Sequence, residues 1–359
     1  MRILVNDIAA SKTGALSILR DFYHYVREHD GGHEWIFLLS GPYLEETEHI
    51  RVRVISSVKK GWLHRLYFDQ IEAGKLLRKI RPDVFFSMQN TLFRKRIGRQ
   101  VLYVHQPLGY QKTKRFSLFK GCEREYAIYQ HLIAKLIDRS VKKADRTIVQ
   151  TEWMRQAVIE KTGVKPEKVV RILPDLPDLR AYENTADPSS NVFFYPSGNI
   201  LYKNHRLLAQ AVALLLERGF SDFVIRLTLT KEELLSNTGI LDENVLSHFD
   251  CMGSVEREKV YELYQKSVLL FPSYIETFGY PPAEARAVGT LTLVSDCPFC
   301  HEVLEGYENA YYVDPFNAQA LAELMERVME GKIACRKTEA ENAAKESSWA
   351  EVVRVLTSE

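Results

Sequence analysis

The chain has 359 residues, more than the roughly 250–300 at which a single core usually stops growing, so two domains are expected. With 46% hydrophobic and 26% charged residues it is neither disordered nor of low complexity, and no apolar run approaches the roughly 20 residues that cross a bilayer. Met1 opens directly into "MRILVNDI" with no signal-peptide pattern, which predicts a cytoplasmic location.

The first segment reads as a buried strand, "AASKTG" as a loop, and "ALSILRDFYHYVREHDGG" as a helix with an apolar stripe of Leu16, Leu19, Phe22, Tyr23 and Val26. Further strands are predicted at "WIFLLS", "RVRVIS", "DVFFS", "QVLYVH" and "RTIVQT". Helical patterns such as "LYFDQIEAGKLLRKI" and "YQHLIAKLIDRSVKKA" separate them. Alternating strands and helices imply a mostly parallel sheet covered on both faces. After "KVVRIL" the stretch "PDLPDLRAYENTADPSSN" loses all periodicity and is the predicted linker. The alternation then restarts with strands "NVFFYP", "FVIRLTL", "VLLFP", "TLTLVS" and "AYYV" between helices, and a closing helix carries Trp349. The predicted domains are residues 1–175 and 191–340, with a linker at 176–190 and a C-terminal helix at 341–359 packing back toward the first domain. Two doubly wound units place a cleft between their strand C-termini, where sheets of this kind bind ligands.

The net charge of +1 hides an asymmetry: residues 1–150 hold 27 Lys/Arg against 15 Asp/Glu, and residues 151–359 hold 21 against 32. Residues 51–150 alone hold 23 basic and 7 acidic residues, and "SVKKGWLHRLYF", "LFRKRIGRQ" and "YQKTKRFSLFKG" interleave basic with aromatic side chains. Such a surface suits an anionic lipid headgroup, a nucleic acid or a phosphorylated acceptor. The five cysteines form no disulfide framework, and "CPFCH", Cys297 to His301, reads as a loop that contains two thiols rather than a redox, haem or zinc motif.

Candidate site residues sit at strand ends. "ASKTGA" lacks the upstream glycine of a phosphate-binding loop, but Gly14 lets backbone approach a ligand. His105 ends the strand "QVLYVH", and Pro107 forces an extended exit. "YPSGNILYKN" puts Ser197, Gly198 and Asn199 after a strand and Lys203 just before a helix, where a lysine can meet an anion. In "FPSYIETFGYPPAE", Glu276 lies on an exit loop and Glu284 in the early helix that Pro281 or Pro282 opens. Between them the N–H groups of Phe278, Gly279 and Tyr280, with the helix dipole, suit a diphosphate. Two carboxylates on one side do not make a glycosidase pair. An Asp-X-Asp, the mark of a divalent-metal sugar transferase, is absent from the sequence.

Glu276-x7-Glu284 with Phe278 and Gly279 inside it, followed by "EARAVGTLTLVSD", resembles the signature of retaining glycosyltransferases of family 4, glycosyl transferases group 1, of bacterial surface-polysaccharide type. "YPSGNILYKN" looks like that family's lysine loop, and "FDCMGSVEREKVYELYQKSVLLFPS" like its Phe-x-Gly-x-Val segment. The resemblance covers residues 191–315 well and the first domain only through Gly14 and "VHQP". It implies the α/β GT-B fold, two Rossmann-like domains facing across a cleft, with the acceptor on the first and a UDP- or GDP-linked sugar on the second. It further implies a cytoplasmic, metal-independent hexosyl- or N-acetylhexosaminyltransferase with no cofactor beyond its nucleotide-sugar donor and no nucleic-acid partner.

By this resemblance Lys203 neutralises the departing diphosphate, Glu276 touches the transferred sugar, and Glu284 accepts from the ribose. Phe278, Gly279, Tyr280, Gly198, Asn199 and Gly14 line the donor, Gly253 to Val255 lie by the base, and His105 reaches the sugar. Asn199 stands where the family often has arginine, which shifts phosphate neutralisation onto Lys203, the helix dipole or Arg206. The basic first domain suits a polyprenyl-diphosphate-linked glycan at an anionic membrane, as in capsule or O-antigen assembly, with the chain peripheral on the inner face. The alternatives are a nucleotide-sugar epimerase of the same fold and a non-catalytic sugar-binding or scaffold subunit.

Overall fold

The computed structural model describes all residues except 11–12, 61–63, 65–66, 183–190, 241, 337–346 and 359. The chain divides into two compact units. Unit 1 takes Met1–Leu118, Arg124–Asp175 and Lys345–Glu359, and unit 2 takes Phe119–Glu123 and Leu176–Ala344.

Unit 1 is built on β1 (Arg2–Asn6), β2 (Glu34–Leu39), β3 (Ile50–Val54), β4 (Val84–Ser87), β5 (Arg99–Tyr103), β6 (Arg146–Val149) and β7 (Val169–Arg171). They form one parallel sheet in the order β3-β2-β1-β4-β5-β6-β7. Unit 2 repeats the plan with β8 (Val192–Tyr195), β9 (Val224–Leu227), β10 (Phe249–Cys251), β11 (Val268–Phe271), β12 (Thr292–Ser295) and β13 (Ala310–Val313). Their order is β10-β9-β8-β11-β12-β13, again parallel throughout. Strands covered on both faces need no polar alternation, and β4 "VFFS" and β11 "VLLF" are buried at every position. The strand order reverses between β1 and β4 in one unit and between β8 and β11 in the other. Ligands of doubly wound sheets bind at the carboxyl ends of strands at such switch points.

The core of unit 1 centres on Phe22, which meets Trp35 edge to face at 5.8 Å and Phe86 at 5.6 Å. The closing helix, Ser348–Thr357, joins this core: Trp349 lies 5.0 Å from Phe22, and Val352 and Leu356 are buried in the same cluster. Ser347 caps that helix, and Asp175 accepts from Ser347 Oγ and from the Ser348 N–H, both at 2.7 Å. The helix thus begins later than the sequence pattern suggests, and residues 341–346 of that prediction lie outside the described residues. The expected linker is also partly structured. Leu179 is buried, Arg180–Tyr182 form a 3-10 turn, and the Tyr182 ring packs 5.3 Å from Tyr261. Residues 183–190 are not described.

Candidate active site

At the switch point of unit 2 the chain leaves β8 through Pro196 to Asn199 and closes a 3-10 turn, Leu201–Lys203, before the helix His205–Glu217. Asn204 joins turn to helix with a left-handed backbone, φ 64°, which asparagine tolerates better than most side chains. Its Nδ2 donates to the carbonyls of Pro272 (3.2 Å) and Pro315 (2.7 Å), which follow β11 and β13. Tyr195, fully buried at the end of β8, spends its hydroxyl proton on the Lys203 carbonyl at 2.8 Å, as a buried hydroxyl needs. The backbone carrying Lys203 is therefore tied to three strand ends.

The exit of β11 meets it from the other side. The Tyr274 N–H donates to the Tyr202 carbonyl at 3.2 Å, and Ser273 Oγ donates to Glu276 Oε1 at 2.7 Å. Lys203 Nζ donates to the same Glu276 oxygen, with the two side chains only 15% and 18% exposed. The ammonium also lies 5.8 Å from the centre of the Phe271 ring. Two residues 73 positions apart thus form one charge-paired unit at the carboxyl end of the sheet. Charge-assisted bonds in a poorly hydrated place are stronger than neutral ones.

Beneath the loop, buried His205 bonds Ser197 Oγ through Nε2 at 2.7 Å and Asn237 Nδ2 through Nδ1 at 3.4 Å. With the amide donating to Nδ1, the ring proton sits on Nε2 and points at the serine. Burial, aided by the Lys203 charge, pushes this imidazole down to about 4, so it stays neutral and works as a strut under Ser197.

The helix Tyr280–Val288 starts at Gly279, φ 88°, with both prolines in its first turn. A Cβ there would meet the Phe299 ring at 3.3 Å in a backbone conformation that L side chains rarely adopt, so glycine is required. The N–H groups of Phe278 and Gly279 make no hydrogen bond among the described residues. Donors and a helix start therefore lie two to four residues beyond Glu276.

Glu284 sits deeper than its sequence position implies, at 6% exposure. Tyr264 donates its hydroxyl to Oε2 at 3.1 Å, and an Arg257 Nη stands 3.9 Å from Oε1. Burial outweighs both partners and pushes the carboxyl up to about 7. Next to it the Tyr261 hydroxyl is buried with no partner among the described residues. Glu284 therefore titrates near neutrality. A ligand whose hydroxyls donate to it favours the charged form, so binding should tighten as pH rises. From about pH 6 to about pH 8 a group of this kind goes from mostly protonated to mostly ionised, and affinity for such a ligand should rise about tenfold. Glu284→Gln should flatten that slope in a calorimetric titration. Without ligand the sign reverses: the folded state holds this proton more tightly than the unfolded state, so stability falls as pH rises from the ordinary carboxyl range through about 7.

Gly253 continues β10 with φ 68°, its N–H donating to Leu229 O at 3.0 Å, and Val255 is half-buried just beyond. Gly198 and Asn199 are exposed on the loop after β8, and Arg206 is exposed in the first turn of the following helix. Unit 2 thus brings Lys203 directly onto Glu276 and sets Glu284 in a separate tyrosine–arginine nest. His105 and Gly14 belong to unit 1. Gly14 lies in the first turn of the helix Thr13–Glu28.

His105 follows β5 and is held by Asn90, itself left-handed at φ 66°. Asn90 Oδ1 accepts from the His105 N–H at 2.7 Å, and its Nδ2 donates to Nε2 at 3.2 Å. That leaves the ring proton on Nδ1, which is buried with no partner among the described residues. Burial pushes this imidazole to about 4, so it is neutral and has one donor unsatisfied. An unmet buried donor costs about 1–3 kcal/mol, which an incoming acceptor would recover.

"CPFCH" is not a loop. Cys297 is the residue before the short helix Pro298–Val303, which contains Cys300, and both thiols are buried. Burial, then Asp296 and Asp314, raises Cys297 to about 12, which suits inert packing rather than redox chemistry. Among the described residues no cluster of three or more His, Cys, Asp or Glu side chains could hold a metal ion.

Three supports escaped the sequence reading. Asn204, Tyr264 and the Ser273 hydroxyl act across strand ends, which no local periodicity reports. The helix Lys231–Thr238, which supplies Asn237, carried a readable signal: Thr230 and Glu233 form a capping box.

Two doubly wound units with a lysine turn and a glutamate loop at the switch point of the second define a glycosyltransferase of the GT-B fold. The model of the glycosyl transferases group 1 matches residues 182–346, and that of glycosyltransferase family 4 matches residues 21–174. The chain belongs to the family 4 glycosyltransferases. It is 26% identical over 188 residues to the O-antigen chain mannosyltransferase RfbU of Salmonella typhimurium strain LT2, a match spanning half of this chain and half of that protein. In fold it is similar to sucrose-phosphate synthase from Thermosynechococcus elongatus (TM-score 0.69, 16% identity, 99% of this chain and 94% of that one). It is also similar to Anabaena HepE solved with UDP-glucose (TM-score 0.62, 17% identity, 92% of this chain and 90% of that one).

Proposed function

We propose that the chain transfers a sugar from a nucleotide sugar to a glycan or polyprenyl-diphosphate-linked glycan, with retention of anomeric configuration, without a metal ion, in cell-surface polysaccharide assembly. The observation that carries the reading is the Lys203–Glu276 pair beside the unpaired N–H groups of Phe278 and Gly279. A diphosphate set against those groups would draw the lysine's charge as the leaving group departs, an electrostatic task that needs no proton transfer from Lys203. Glu276, still accepting from Ser273, would turn its second oxygen to the hydroxyls of the transferred sugar. Glu284, with its Tyr264 donor, would accept from the ribose, and Gly253 to Val255 would border the base.

His105 offers its Nδ1 proton to a sugar hydroxyl, an acceptor that would satisfy a donor otherwise left buried and unmet. Arg206, exposed beside the lysine turn, is the next cation in sequence after Lys203 and would make good Asn199. The UDP-glucose held by the HepE structure and the O-antigen role of RfbU support a nucleotide donor and a polysaccharide product.

The test is transfer itself: the protein is incubated with labelled nucleotide sugars and a lipid-linked glycan extract, and the product is examined by NMR. Label in the glycan with the donor's anomeric configuration is expected. Inverted configuration would overturn retention, and release of an epimer from donor alone would overturn transfer.

A further inference from the structure

In unit 2 a buried hydroxyl and a buried carboxylate oxygen lie close together, and neither is satisfied. Arg257, Tyr261 and Tyr264 stand at i, i+4 and i+7 in the helix Arg257–Gln265, so they share one face of it. Glu284, on the helix Tyr280–Val288, meets that face. Tyr264 donates to its Oε2 at 3.1 Å, whereas the Arg257 guanidinium stands 3.9 Å from Oε1, too far for a hydrogen bond. Tyr261 is 6% exposed, its ring packed on Tyr182, and its hydroxyl has no partner among the described residues. Burial, then the Glu284 charge, pushes that hydroxyl up to about 12, so the two groups feel each other without bonding. Buried hydroxyls are nearly always bonded, and one left unmet is costly, so an exception this deep asks for an outside partner. Arg257 is exposed, which opens the nest to solvent on its side.

The neighbours of the nest identify the partner. Gly253 to Val255, which the proposed reading sets beside the base, lead directly into the helix that carries Tyr261. The N–H groups of Phe278 and Gly279, set at the diphosphate, lead into the helix that carries Glu284. Between base and diphosphate a nucleotide has its pentose. On a ribose the 2′-hydroxyl is next to the base-bearing carbon, and the 3′-hydroxyl is nearer the phosphate arm.

We infer that Tyr261 donates to the 2′-hydroxyl of the donor's ribose while Glu284 accepts from the neighbouring 3′-hydroxyl, so that the site selects ribonucleotide donors over 2′-deoxyribonucleotide ones. The inference rests on the proposed nucleotide-sugar reading and adds to it a residue and a selectivity. A site built around a substrate hydroxyl rejects the analogue that lacks it, because the site's own buried group is then left unmet.

The test is calorimetric. UDP, GDP and ADP are titrated into the full chain at pH 8, where Glu284 is mostly ionised, and the tightest binder is compared with its 2′-deoxy and 3′-deoxy forms. The wild type should bind the 2′-deoxy form about ten- to hundredfold more weakly than the parent. In Tyr261→Phe the parent should weaken by about that factor and the 2′-deoxy form hardly change, which closes most of the gap. The free variant should unfold no earlier than the wild type, since the change removes a hydroxyl that makes no bond. A variant that unfolds earlier and weakens all three ligands alike would make the hydroxyl purely structural and overturn the inference. Equal wild-type binding of parent and 2′-deoxy form, a gap that survives in Tyr261→Phe, or a gap confined to the 3′-deoxy form would also overturn it, with the nucleotide reading left standing. Binding of none of the three diphosphates would overturn that reading, and the inference with it.

Discussion

Lys203→Ala should lower turnover by about 10²–10³-fold, the usual cost of removing one preorganised group that stabilises developing negative charge. On the proposed reading this lysine meets the leaving diphosphate, and Asn199 beside it supplies no charge of its own. The same change strips Glu276 of its cation in a place that is less than one-fifth exposed. That loss should destabilise the fold by about 2 kcal/mol, between the values for surface and buried pairs, because Ser273 Oγ still serves the carboxylate. Combining Lys203→Ala with Glu276→Gln should recover much of the stability but none of the turnover. That split separates the structural role of the pair from its chemical one. Thermal unfolding and initial rates on the single and double variants check it. A single variant with near-normal turnover would remove Lys203 from the chemistry.

Glu276→Gln should cost about 10²-fold in turnover while changing affinity for the free nucleoside diphosphate by less than about threefold. The amide oxygen can still accept from Ser273, so the loop should hold its place. What is lost is a charged acceptor for the sugar hydroxyls, which a bare nucleotide does not reach. Calorimetric titration with the nucleotide, alongside rates with the nucleotide sugar, reads the difference. A fall in nucleotide affinity as large as the fall in rate would place Glu276 at the phosphates instead.

The strands that frame the site were legible because each is a short, nearly continuous apolar run bounded by proline, glycine or serine. The start of the helix after Glu276 was legible because glycine followed by two prolines permits little else. The Lys203–Glu276 pair was not, since the sequence shows two charged residues on separate loops and nothing that measures the gap. Nor was the depth of Glu284, which Tyr264 and Arg257 set from a helix whose pattern reports only its own apolar face. Which face of the helix Ala134–Lys143 packs inward was not legible either. Apolar periodicity marks a helix, but when both faces carry leucine and isoleucine it does not say which one the core takes. At Cys297 to Cys300 the cysteines drew attention away from Pro298, which opens a helix there.

The most direct test of the central claim, that unit 2 holds a nucleotide sugar at the Lys203–Glu276–Glu284 site, is a thermal-shift panel of UDP, GDP, dTDP and ADP sugars. The account predicts that sugars of one base raise the unfolding midpoint of the wild type. The shift should shrink in Lys203→Ala. No shift with any of the four, or an equal shift in Lys203→Ala, would contradict it.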